Sequence, residues 1–334
     1  MKTILKSKES AVFVLFLIVF GVFATLSDRF AVPDNLFNVA RQYSELAVIS
    51  VGLTMVIITG GIDISVGSVV GLSSILVGVL GARMGMNVWL ACLLAILGGL
   101  ACGTINGLVV TKLRVQPIVA TLAMMSAARG LAWILSGARS ISGFPESFRA
   151  LGETVIGPVP GLGYIPLSVP IALSLVILGI VILRCTAFGR GIYAVGSSEE
   201  AARLSGVNVF KVKLFAYAFT GTLCGLGGVI MAARLASSVP DAGLGFEFEA
   251  ITAVVMGGSS LRGGEGNIIG TIIGVAVMGT LRNGLNLIGV PNIWQVLFLG
   301  VMLILAVLAD NLRIWLRSRR ELSHTIHESS EAGA

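Results

Sequence analysis

The sequence has little charge. Asp, Glu, Lys and Arg make up 12% of its 334 residues, while hydrophobic residues make up 55%. A soluble domain carries about 25% charged residues, so this composition excludes an ordinary soluble globular protein. With a mean hydropathy of +0.95, it is typical of a protein in lipid, where each helical span needs about 20 mostly apolar residues.

The sequence also lacks the residues and motifs of catalysis. It has two histidines, both in the polar C-terminal segment, and four cysteines without the paired spacing of a metal site. The phosphate-binding pattern G-x-x-x-x-G-K-[ST] is absent, as are H-E-x-x-H and G-x-S-x-G. We therefore expect no enzyme activity, no metal and no cofactor, and any energy source must lie outside this chain.

The net charge of +6 is explained by the loops rather than by nucleic acid, which is not an expected partner. If the N-terminus is cytoplasmic, most Lys and Arg residues fall in cytoplasmic loops, as the positive-inside bias requires. Both termini are then expected in the cytoplasm, with the chain crossing the inner cell membrane several times. Lipid is its expected surrounding.

Ten apolar segments predict an all-α polytopic membrane protein. The eighth is too short to cross a bilayer, which indicates a short or broken helix. The ten segments are 11–27, 45–61, 66–82, 88–110, 117–136, 167–184, 212–235, 247–258, 267–288 and 293–310. A Gly- and Pro-rich outer loop, 137–166, is expected to be ordered by turns.

Two pairs of segments resemble each other and suggest an internal repeat. Residues 60–71 are similar to 257–270, and residues 103–107 are similar to 279–284. Duplication is common in transporters, but small residues recur at such spacings in unrelated membrane helices. Both interpretations remain open.

The densest internal charge lies in residues 197–213, SSEEAARLSGVNVFKVK. Ser197 and Glu200 fit a capping box, and the two glutamates in the first turn complement the helix dipole. Gly206 can adopt the left-handed conformation that ends a helix. The pattern predicts a helix over about 198–205, which is either a solvated connector or a docking element for a cytoplasmic partner.

Three acidic residues fall within or beside apolar segments. Asp63 is either the N-cap and turn organiser of the third span, at the membrane surface, or a residue of a transport pathway. Glu247 and Glu249 open the short eighth span, where a position near the outer surface is the simple interpretation. Candidate cationic partners are Arg129, Arg234 and Arg282.

Several ordered motifs resemble the ribose-type permeases of ABC importers, over nearly the whole chain. They are EEAARLSGVN at 199–208 with Lys211 and Lys213, GRGIYAVG at 189–196, AITAVVMGG at 250–258 with SLRGG at 260–264, NGLNL at 283–287 and GGIDISVG at 60–67. The resemblance implies a permease that moves a monosaccharide by ATP-driven alternating access. An ion- or proton-coupled secondary transporter of a small polar solute is the alternative.

The resemblance also implies partners and a domain plan. The partners would be a cytoplasmic sugar-importer ATPase, an extracytoplasmic solute-binding protein and a second permease copy, either identical or a paralogue. Residues 1–316 would form the permease domain, with a cytoplasmic coupling loop at 185–211, and residues 317–334 a disordered polar tail.

The candidate site residues fall into two groups. By analogy, the ATPase-coupling residues are Ser197, Glu199, Glu200, Ala201, Arg203, Leu204, Gly206 and Val207. The candidates for a translocation path or a structural turn are Asp63, Asn106, Glu247, Glu249 and Asn283.

Overall fold

The computed structural model describes residues 8–153, 155–159 and 163–331. Within these residues the chain forms thirteen helices and one antiparallel hairpin of the strands β1 (Val155–Val159) and β2 (Gly163–Pro166). The helices are α1 (Lys8–Leu26), α2 (Pro33–Ile58), α3 (Val66–Val77), α4 (Val88–Thr111), α5 (Pro117–Ser136), α6 (Glu146–Glu153), α7 (Ser168–Cys185), α8 (Ala187–Ser197), α9 (Glu199–Leu204), α10 (Val209–Leu235), α11 (Phe246–Met256), α12 (Ile268–Leu287) and α13 (Asn292–Glu331). A π-helical segment, Gly78–Arg83, continues α3.

Eight of the described helices are long and apolar enough to cross a membrane, which confirms the all-α polytopic class. They are α2, α3 with its π-helical continuation, α4, α5, α7, α10, α12 and α13. The shorter α1 and α11 bring the apolar helices to the expected number. At 11 residues, α11 rises only about 17 Å along its axis, well short of the hydrocarbon core of roughly 30 Å.

The most buried spans of the bundle are α2, α3 and α10. The most apolar window of α2 is 78% buried, that of α3 with its π-helical continuation 72% and that of α10 67%, against 12% in α13. Small residues allow α10 to lie directly on α4: a Cβ added at Gly221 would meet the Cα of Gly103 at 2.8 Å. Such backbone contact is how membrane helices associate without a hydrophobic driving force.

Three predicted segments differ from the structure. The second span begins at Pro33 rather than 45, because Pro33 lies at the favoured first helical position and the polar residues that follow it remain helical. Residues 185–211, expected as a loop with one helix, contain both α8 and α9. The outer segment 137–166, expected to be ordered by turns, contains α6 and the β1–β2 hairpin.

The C-terminal helix α13 runs to Glu331 and so includes residues 317–331 of the expected polar tail. Residues 332–334 lie outside the described residues. The division into a permease domain and a tail stays a prediction.

The bundle has two distinct ends. Helix α10 starts next to α9 and continues for 27 residues, about 40 Å at 1.5 Å per residue. Its last turn, the start of α11 and the end of α12 therefore lie at the other end of the bundle. We call these the α9 end and the opposite end.

Candidate functional site

Helix α9 begins one residue later than the sequence suggests. Its N-cap is Ser198, which has extended backbone angles and whose hydroxyl accepts a hydrogen bond from the Ala201 N–H at 3.2 Å. Ser197 is instead the last residue of α8, and its hydroxyl donates to the Tyr193 carbonyl. The predicted Ser197–Glu200 capping box is therefore wrong, because α8 extends through the expected cap.

The end of α9 is a Schellman motif. Gly206 has φ +83° and donates its N–H to the Arg203 carbonyl at 3.0 Å, while the Val207 N–H reaches the Ala202 carbonyl at 2.9 Å. Ala202 is buried and packs in the same apolar cluster as Val207. The left-handed conformation predicted for Gly206 is confirmed, and the motif fixes both the length and the exit direction of α9.

Most of the predicted coupling residues are exposed. Glu199, Glu200, Ala201, Arg203 and Gly206 are exposed, and the Leu204 side chain is 85% exposed. Leu204 thus presents a large apolar side chain between charges, on a helix that is fixed at both ends.

Among the described residues, an ion pair attaches α9 to the bundle in addition to the apolar packing of Ala202. The Lys213 ammonium on α10 pairs with the Glu199 carboxylate, and the Glu199 side chain is 48% exposed. Helix α10 has its own cap, because the Asn208 side chain accepts from the Lys211 N–H at 3.0 Å. Polar side chains therefore connect α9 to the beginning of α10.

Helix α8 joins α9 to the ends of two other segments. The Tyr193 hydroxyl donates to the Gly266 carbonyl at 2.8 Å, and burial raises the pKa of this hydroxyl, which stays a donor at neutral pH. The Gly264 N–H donates to the Ile58 carbonyl at the end of α2, also at 2.8 Å. A Cβ at Gly196 would overlap that same carbonyl, so α8 lies directly on this junction.

Asp63 and Asn106 are brought together by Ser65. The Asp63 carboxylate accepts from the Ser65 N–H at 2.9 Å and from the Ser65 hydroxyl at 2.6 Å, and Asn106 donates to that hydroxyl at 3.0 Å. Asp63 is thus a turn organiser, as predicted. It is not the N-cap of α3, which is Ser65, and its side chain is 2% exposed.

Two of the other predicted path residues lie at the opposite end. Glu249 pairs with Arg282, and Asn283 exchanges two side-chain hydrogen bonds with Asn35, at 2.9 and 3.0 Å. The Glu247 side chain is 4% exposed, and its carboxylate lies against Gly67 of α3, four residues after Asp63. The path candidates are therefore not gathered in one place, and their role stays a prediction.

The remaining candidate arginines have different partners. Arg129 donates to the carbonyls of Pro240 and Ala242, at 2.7 and 2.9 Å. Arg234 pairs with Glu45, whose side chain is fully buried, at 2.7 Å. Glu45 was not among the predicted site residues, because it lies at the first position of the predicted second span. An acidic residue at the start of an apolar segment is nevertheless a signal from which a membrane-embedded charge could have been predicted.

Comparison with known proteins identifies the family. A family model described as "Branched-chain amino acid transport system / permease component" matches residues 35–307. The chain belongs to this family of transport-system permease components.

Individual relatives define the type more closely. The chain is 42% identical to the ribose import permease protein RbsC of Escherichia coli K12 over 311 residues, 91% of this chain and 94% of the relative. It is also 42% identical to RbsC of Bacillus subtilis 168 over 296 residues, 89% and 90% of the two chains. It is 31% identical to the autoinducer 2 import system permease protein LsrC of Yersinia enterocolitica over 304 residues, 91% and 82% of the two. No solved structure matches the chain.

These relatives confirm the ribose-type ABC importer permease family predicted from the motifs. The chain is a transport subunit rather than an enzyme, and its apolar helices make it a multi-pass membrane protein. Membership of the family implies that it works with an ATPase and a solute-binding protein. The family description names branched-chain amino acids, whereas the names of these relatives give ribose in two cases and autoinducer 2 in the third.

Proposed function

We propose that the chain is the permease of an importer that moves a monosaccharide into the cell, and that α9 is the element that docks on the ATPase. The observation that carries the docking role is the exposed α9, with Leu204 85% exposed on a helix capped at both ends. A two-turn helix is marginal in water by itself, so its order comes from the caps and from the bundle. The monosaccharide rests on the similarity to the ribose permeases.

The docking role has a specific physical basis. An exposed apolar side chain surrounded by charged ones is the pattern of an interface anchor, where the apolar group fills a pocket and the charges set the register. Glu199, Glu200 and Arg203 surround Leu204 in this way. Ser197 is exposed and is the last residue of α8, whereas Val207 packs inward against the apolar cluster.

The proposed orientation follows from this docking. With α9 in the cytoplasm, both termini are cytoplasmic and the opposite end faces the solute-binding protein. A second permease copy completes the transporter. The extensively exposed apolar faces of α4, α5, α7 and α13 supply surface for that copy and for lipid.

Co-purification and uptake test the proposal. The chain is co-expressed with the ATPase and solute-binding protein of its importer, purified, and reconstituted in liposomes, where ATP-dependent uptake of radiolabelled D-ribose is measured. We expect Leu204→Asp and Arg203→Glu to abolish both ATPase co-purification and uptake. Leu244→Asp is the matched control for ATPase co-purification, because Leu244 is also exposed, at 71%, but lies next to α11 at the opposite end.

Two results would contradict the proposal. Retention of the ATPase by the Leu204→Asp and Arg203→Glu variants would remove the docking role. Uptake by the chain alone, driven by a proton or sodium gradient without ATP, would favour the secondary transporter instead.

A further inference from the structure

We infer that the opposite end of the bundle contains a transit site for a neutral monosaccharide, in a cavity between α2, α10, α11 and α12. This inference rests on the proposed function for the nature of the cargo, and on the geometry of the cavity for the position of the site. The cavity has a volume of about 260 Å³. That is slightly below the roughly 300–1,000 Å³ of typical small-molecule sites, as suits a single sugar ring.

The wall of the cavity is rich in side-chain amides. Gln42 on α2, Asn283 and Asn286 on α12, and Asn292 at the start of α13 all line it. An amide offers both a donor and an acceptor, and sugar hydroxyls require both. Asn283 already exchanges its amide hydrogen bonds with Asn35, and the Asn286 side-chain oxygen accepts from Gln295. A polyol would therefore be bound mainly by the amides of Gln42 and Asn292 and by the Asn286 NH2 group.

The charges in the wall are paired. Arg234 and Arg282 line the cavity, and each has a carboxylate partner, Glu45 and Glu249 respectively. Each guanidinium carries five N–H donors, so donors remain for a hydroxyl after one atom is used in the ion pair. Because each cation is compensated, the cavity favours a neutral solute over an anionic one.

Two aromatic rings complete the lining. Tyr43 and Phe246 face the cavity from α2 and α11. Rings beside hydrogen-bonding groups match a sugar, which has apolar C–H faces as well as hydroxyls. A site for a bare ion would instead place oxygen ligands close together. The few aromatics in the cavity suit a weak site, from which the solute can leave.

The position of the cavity fits a transit role. It lies near the end of α10, which is about 40 Å from the α9 end at 1.5 Å per residue over its 27 residues. In the orientation proposed above, the cavity therefore lies on the side where a solute-binding protein would release its sugar.

Cysteine protection tests the site on the permease alone. The four native cysteines are replaced, and Gln42→Cys is treated with N-ethylmaleimide in the presence of D-galactose or D-galacturonate. Asn38→Cys is the matched control, because Asn38 is an exposed amide one helical turn earlier on α2 and does not line the cavity. We expect D-galactose to slow modification at position 42 but not at 38, and D-galacturonate to have little effect at either. Equal protection by both sugars would overturn the preference for a neutral solute, and protection by neither would overturn the site.

A blocking variant gives an independent readout in the complete importer. Gln42→Trp and Asn286→Trp fill the cavity, so uptake is expected to fall to the level measured without ATP, whereas Asn38→Trp retains it. If both the Gln42→Trp and the Asn286→Trp variants retain wild-type uptake, the proposed site is wrong, even if the importer carries a monosaccharide. If D-galactose protects position 42 but the importer shows no ATP-driven uptake, the site is supported and the proposed function is wrong.

Discussion

The two ends of the bundle use the same kind of ion pair in different surroundings. At the α9 end, Glu199 pairs with Lys213 and its side chain is 48% exposed, whereas at the opposite end Glu45 pairs with Arg234 and is fully buried. Exposed pairs contribute little to stability, but removing one partner of a buried pair leaves an uncompensated charge. The opposite end therefore depends on its charges for folding, whereas the charges of the α9 end are available for a partner.

The ends also differ in how their segments are joined. At the α9 end the contacts are between backbones: Gly264 donates to Ile58, and Gly196 lies on the same carbonyl. At the opposite end the contacts are between long side chains, which surround a cavity. A backbone junction transmits a displacement because it has no side chain to rearrange. A side-chain wall can rearrange around a solute.

The largest expected effect is at the buried pair. Arg234→Ala leaves the Glu45 carboxylate buried without its cation, which is expected to cost about 3–5 kcal/mol of stability. The midpoint of thermal unfolding in detergent measures this loss. The double variant Glu45→Ala and Arg234→Ala removes both charges and should recover a substantial part of the stability. If the double variant is less stable than Arg234→Ala, the uncompensated charge is not the cause.

The sequence predicted the class of fold and most helices, because long apolar runs are direct evidence of spans. The fifth span was predicted at 117–136, the bounds of α5 in the structure. The prediction failed where a helix is polar or short. The first turns of α2 after Pro33 carry few apolar residues, and α8 has only 11 residues, so neither stands out as a membrane segment, although both are helical.

The candidate residues were found by type, but their partners were not. Glu249 and Arg282 were both singled out, and the structure pairs them. Glu45 and Arg234 are 189 positions apart in the chain, and no local pattern relates residues at such a distance. Side-chain pairs of this kind follow from helix packing, which a single sequence does not specify.

A second prediction concerns the backbone junction. A methyl group at Gly196 overlaps the Ile58 carbonyl and the Gly264 N–H, so Gly196→Ala should push α8 from α2. Overpacking of this kind costs about 1–3 kcal/mol. ATP-driven uptake is expected to fall strongly in this variant, even where the ATPase still co-purifies. Gly130→Ala is the matched control, because Gly130 is also in a helix but has open space around its Cα. Equal uptake by both variants would show that the junction does not transmit motion.

A third prediction concerns Gly206, the residue at which α9 ends. Gly206 has φ +83° with open space around it, so the penalty for Gly206→Ala is backbone strain, about 1–2 kcal/mol. Gly206→Asn should cost less, because Asn tolerates the left-handed region. The affinity for the ATPase, measured by titration of the purified proteins, is expected to be highest for the wild type, lower for Gly206→Asn and lowest for Gly206→Ala. Equal weakening by Asn and Ala would assign the effect to lost contact rather than to strain.

The smallest effect is expected at the exposed pair. Glu199→Gln removes the carboxylate that pairs with Lys213, but the Glu199 side chain is half in solvent, so the loss of stability should be under about 1 kcal/mol. The thermal midpoint of the permease alone measures it, beside that of Arg234→Ala under the same conditions. A loss as large as that of Arg234→Ala would erase the contrast between the two ends. A small loss of stability together with a clear loss of ATPase affinity would show that this charge serves the partner rather than the fold.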